Sequence, residues 1–140
     1  MIDIRLSAIA LLVSLVGCAT VRSSMMTSAN KLGSSATAFV GDAGRQFPHA
    51  AEFAFQAHDF LETVDRAGDR QVILAYGQLW DAYQALREEV ERSGSQQAQG
   101  DFKTVTQAFT YVARNIRGYA DADSALYARG GFQHDPYYDR

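Results

Sequence analysis

Val72, Tyr76, Leu79, Tyr83, Leu86 and Val90 repeat an apolar side chain at alternating steps of four and three residues without a miss. An α-helix turns about 100° per residue, so this spacing lays all six side chains along one stripe. A stripe of that kind has to be buried against another element. The spacing predicts a helix over 70–92, with Asp69 as its N-cap, Gly94 as its terminator, and Ile73 and Trp80 widening the apolar face.

Three further stretches share the period. Phe102, Val105, Phe109, Val112, Ile116 and Tyr119 form one, which Leu126 and Tyr127 extend beyond Asp123, with Gly118 as a point of bending. Phe53, Ala57, Phe60, Leu61 and Val64 follow Pro48, a residue suited to a helix's first turn because it has no N–H to leave unpaired. This helix ends by Gly68, so only about two residues separate it from the next, and the two must be antiparallel neighbours. Met25, Ala29, Leu32, Ala36, Phe39 and Ala43 make the fourth, in a segment dense in Ser and Thr that also has the composition of a flexible tether. No stretch alternates as a strand does. The expected fold is all-α, an up-down-up-down four-helix bundle, with a three-helix bundle plus N-terminal tether as the alternative.

The amino terminus reads as an address. Arg5 precedes an uncharged, mostly apolar run from Leu6 to Val16, the layout of a secretory signal peptide. The run is well short of the ~20 residues that a spanning helix needs. Leu15, Val16, Gly17 and Cys18 resemble the lipobox of bacterial lipoproteins, and Cys18 is the chain's one cysteine. The resemblance implies cleavage before Cys18, a diacylglycerol on its sulfur, and a palmitate-type acyl chain on the new amino group. It also implies, with Ala19 following the cysteine, sorting to the outer membrane with the protein facing the periplasm. The expected organisation is therefore a signal peptide over 1–17, a helical bundle over 18–129, and an aromatic tail over 130–140. That tail carries Phe132, Tyr137 and Tyr138, which would pack on the bundle or engage a partner.

The formal net charge is −3. Neutralising phosphates takes Lys and Arg in excess, so nucleic acid is not an expected partner, and the lipid rather than surface charge would hold the chain to a membrane.

Chemistry finds few footholds. His49 and His58 are nine residues apart, which puts them on opposite sides of one helix. His58 and Glu62 share a face, as do His49 and Glu52, but neither pair has the Glu-x-x-His order of di-iron bundles. His58 with Glu62 is the residue pair on which a metal or small-ligand bundle would rest. Met25 and Met26 offer soft thioether sulfur, but Met25 belongs to the apolar stripe. Neither Cys-x-x-Cys-His nor Gly-x-Ser-x-Gly occurs. Glu88, Glu89 and Glu91, interspersed with Arg87 and Arg92, read as a solvated helix end rather than paired catalytic carboxylates. Neither enzyme activity nor a cofactor is expected.

Binding to another protein is what a helical bundle does most readily. Phe55, Leu74 and Tyr111 lie off the core stripes and are the candidate contact residues. Phe55 and Tyr111 would sit on diagonal helices and face apart. The chain resembles the small helical lipoproteins that pilot secretins in size, anchor and helix content, and a periplasmic immunity or scaffold role fits the same description.

Overall fold

The computed structural model describes the backbone of residues 3–122 and the side chains of residues 21–119. Within them lie four α-helices: α1 (Asp3–Asp42), α2 (Pro48–Arg66), α3 (Asp69–Ser93) and α4 (Gln96–Ala122), with a single 3-10 turn at Gly44–Gln46 between the first two. The residues Leu15, Val16, Gly17 and Cys18, together with Phe132, Tyr137 and Tyr138, lie outside the residues described in side-chain detail. Among the described residues no helix is long and apolar enough to cross a membrane.

The tether alternative does not hold, because the Ser- and Thr-rich segment is helical. Its hydroxyls turn back on their own helix instead of competing with it: Thr27 donates to the Ser23 carbonyl, Ser28 to Ser24, Ser34 to Asn30 and Thr37 to Gly33. Met25, Ala29, Leu32, Ala36 and Phe39 are all buried, so tertiary packing supplies what helix propensity withholds. Ala43 is only partly buried, where the chain leaves α1 for the turn.

α1 packs against α2 and α4, and α3 packs against the same two, so α1 faces α3 and α2 faces α4 across the core. Backbones approach more closely around α1 than between α3 and α4. Side-chain size accounts for this. α1 offers Ala29, Gly33 and Ala36 to its neighbours. Between α3 and α4, by contrast, Tyr83 stacks on Phe109 at 4.2 Å between ring centroids and on Phe102 at 5.6 Å, and Trp80 packs against Phe109 at 5.7 Å. Offset and tilted ring pairs of this kind add ~0.5–1.5 kcal/mol each beyond the area they bury.

Helix ends differ from expectation in two places. Gly68, not Asp69, occupies the cap of α3, and Asp69 falls in the first turn, where a carboxylate meets the positive end of the helix dipole. Gly94 closes α3 in the left-handed region at φ 65°, as its position predicts. α4 starts at Gln96, ahead of its apolar stripe, because the Ser95 hydroxyl oxygen accepts the Ala98 N–H at 3.2 Å and Ala98 is itself buried. At the other end of α4, Gly118 admits the Val21 side chain of α1, which a Cβ there would meet at 2.9 Å.

Candidate functional site

Ser28 is the one buried residue of polar class among the described residues; the rest of the core is apolar apart from its tyrosine hydroxyls, of which those of Tyr76 and Tyr119 are themselves buried. Polar chemistry therefore lies on the surface and in the grooves between helices.

The groove between α1 and α4 is lined by Ser23, Ser24, Thr27, Ser28, Lys31, Tyr111 and Asn115 and encloses about 470 Å³. Its floor is fixed by a cross-helix network. The Asn115 amide donates to the Ser28 hydroxyl at 2.9 Å and to the Ser24 carbonyl at 3.2 Å, while Ser28 donates to that same carbonyl at 3.0 Å. On the rim, the Tyr111 ring is half-exposed and has two cations beside it, with Lys31 Nζ at 5.5 Å from its centroid and Arg114 Cζ at 5.7 Å. Lys31 comes from α1, whereas Arg114 is three residues further along α4 and so a neighbour on the same helix surface. Among the described residues neither cation has a carboxylate within ion-pairing distance.

Net charge concealed how the bases are distributed. From Val21 to Gly41 and from Phe102 to Tyr119 there is no Asp or Glu, and the charges are Arg22, Lys31, Lys103, Arg114 and Arg117. Counted as whole helices, α1 and α4 together carry six basic residues against four acidic ones, whereas α2 and α3 carry nine acidic residues against four arginines. Because α1 packs beside α4 and α2 beside α3, the bundle has a basic flank and an acidic one. Charge counted helix by helix would have exposed the asymmetry.

Phe55 and Leu74 are 67% and 59% exposed, so all three off-stripe residues do face solvent. Only Tyr111 lines one of the two described grooves.

His58 and Glu62 serve separate surroundings. The Thr37 hydroxyl donates to the Gly33 carbonyl, so at 3.0 Å it accepts the His58 Nε2 proton, and the imidazole lies against Gly33, where a Cβ would touch it at 3.4 Å. Glu62 lines a second groove of about 510 Å³ between α1 and α2, with Met26, Thr27, Asn30, Leu61, Asp65 and Arg66. Above it the Arg22 guanidinium donates to the Asp65 carbonyl. Among the described residues no three His, Cys, Asp or Glu side chains stand close enough to share a metal ion.

Glu89 is not part of a solvated end. Its side chain reaches from α3 to the start of α2, accepting the His49 backbone N–H at 3.1 Å and meeting His49 Nδ1 at 2.6 Å. Glu88 and Glu91 do behave as expected, pairing with Arg92 and Arg87 one turn away on the exposed face.

No known protein family, curated protein or solved structure matches the chain.

Proposed function

We propose that this chain is a lipoprotein anchored through Cys18 to the outer membrane of a Gram-negative bacterium, whose helical bundle faces the periplasm and acts by contact with another envelope protein. The observation that carries the contact reading is the division of labour within the fold. The interior is apolar, Ser28 and the tyrosine hydroxyls apart, while half or more of each of Phe55, Leu74 and Tyr111 is left to solvent. Aromatic residues and Arg are enriched in protein–protein interfaces, and Tyr111 beside Arg114 has that composition. The anchor reading rests on the sequence Leu15–Cys18 and places such a surface at the membrane. Three acyl chains would hold it there, since one myristoyl-length chain gives only marginal binding and each buried methylene adds ~0.8 kcal/mol. A pilot, scaffold or immunity role is compatible with this arrangement.

Two measurements test it. Intact mass of the protein from membranes of a Gram-negative host, beside Cys18→Ser, is expected to show loss of residues 1–17 and gain of acyl chains in the wild type alone; an unmodified full-length mass refutes the anchor. A photo-crosslinking amino acid placed in turn at Phe55, Leu74 and Tyr111 in living cells is expected to give discrete adducts from at least one position. No adduct from any of them refutes the contact reading.

A further inference from the structure

We infer that the α1–α4 groove is a docking site for an acidic segment of a partner protein, with Lys31 and Arg114, the two cations beside the Tyr111 ring, receiving its carboxylates. The inference rests on the envelope-contact reading and assigns it a site and a partner chemistry.

Three observations converge on it. Lys31 and Arg114 are exposed cations that hold only the face of an aromatic ring, in a protein whose other flank is rich in acid. A cation over a ring at an exposed site keeps most of its capacity for a carboxylate, because the ring is the weaker partner. The groove beside them is already organised: Asn115 locks α4 to Ser24 and Ser28 of α1, so a ligand meets a rigid, hydroxyl-lined floor and does not have to order it. Finally, the stretches of both helices that line the groove, 21–41 and 102–119, hold no Asp or Glu; the nearest acids along these helices are Asp42 and Asp101 toward one end and Asp121 toward the other. Complementarity on this scale steers encounter as well as fixing register. The groove favours an acidic polypeptide over a nucleic acid, since two cations match one or two carboxylates rather than a run of phosphates, and the chain as a whole carries −3.

The test uses the detergent-solubilised protein as purified from membranes and two fluorescein-labelled peptides of equal length, one a glutamate-rich helix former with a single tryptophan, the other its lysine-rich counterpart. Fluorescence anisotropy is expected to detect the acidic probe and not the basic one, with affinity falling as salt rises. The Lys31→Glu/Arg114→Glu variant is expected to weaken binding at least tenfold, and Tyr111→Ala to weaken it less. The Arg70→Glu/Arg87→Glu variant, with the same change in net charge on the α3 side, is expected to leave binding within about twofold. Equal losses in the two charge-reversed variants would reduce the effect to net charge and overturn the inference. So would absence of binding to the acidic probe, or recruitment to anionic vesicles in place of peptide. Sedimentation showing salt-sensitive self-association that the Lys31→Glu/Arg114→Glu variant abolishes would overturn it in favour of a second copy presenting its acidic flank. Loss of probe binding with adducts retained at Phe55 or Leu74 defeats this inference alone, whereas loss of every adduct defeats the contact reading whatever the probe does.

Discussion

Glu89→Ala should destabilise the bundle by about 1–2 kcal/mol although the side chain lies outside the core. α2 begins without the usual devices: Phe47 stands at the cap position and makes no side-chain cap, Pro48 has no N–H, and the first turn holds no acid. Glu89 supplies both missing functions from another helix. As acceptor for the His49 N–H it replaces a cap, worth typically ~1 kcal/mol. As a carboxylate at the positive end of α2 it contributes a further ~0.3–1 kcal/mol. Its contact with His49 Nδ1 is left out of that sum because the histidine side chain is 44% exposed. Glu89→Gln keeps an acceptor and loses the charge, so about half the effect should remain. Urea unfolding followed by circular dichroism reads the change as a lower midpoint at unchanged slope. Glu88→Ala and Glu91→Ala are internal controls: each breaks an exposed pair one turn apart, worth ~0.3–0.5 kcal/mol. If all three alanine variants fall within experimental error of one another, Glu89 is an ordinary surface acid and the cross-helix cap is wrong.

Two further outcomes follow from the packing. Gly77→Ala, where a Cβ meets nothing within 4 Å, should raise stability by ~0.5–1 kcal/mol, whereas Gly118→Ala, whose Cβ would press on Val21 at 2.9 Å, should gain little or lose; a thermal melt in which both gain equally would remove the close approach of α1 and α4. The Tyr119 phenol is held above its ordinary value chiefly by burial, with Asp69 adding to the shift and Arg22 opposing it. The fold therefore favours the neutral ring, a contribution complete below pH ~10 and lost as pH rises through the higher folded-state value. Melting temperature should accordingly fall less steeply above pH ~10 in Tyr119→Phe than in wild type, and parallel curves would contradict the shift.

Much of the architecture was legible because burial here is nearly all periodic. Each stripe residue from Val72 to Val90 is buried, as are Phe102 through Tyr119 on α4 and Met25 through Phe39 on α1. What escaped the sequence depends on contacts between helices, which period along one helix does not encode. Glu89 and Glu88 are adjacent in sequence and alike in chemistry; only the crossing of α2 and α3 makes one a cap and leaves the other in water. Tyr111 was found as a residue off its stripe, and Arg114, three residues on, was within reach of the same reading, but Lys31 was not, because it is eighty residues away in the chain. His58 and Glu62 share a face, as their spacing requires, yet His58 is bound to Thr37 of α1 while Glu62 lines a groove. Face-sharing gives proximity along a helix, not a common ligand.

The aromatic seam between α3 and α4 has a practical side. Trp80, the chain's one tryptophan, is 3% exposed and lies against Tyr83 and Phe109. Its emission should therefore be blue-shifted in the folded protein and should move to the red when α3 and α4 part. Far-ultraviolet dichroism weighs every helix, α1 included. An emission curve and a dichroism curve that coincide during unfolding would describe four helices lost together. If dichroism declines first while the indole stays blue, a helix remote from the seam has come away on its own. The molecule thus carries a built-in optical gauge of whether α1, the helix that would bear the anchor, can separate from the rest.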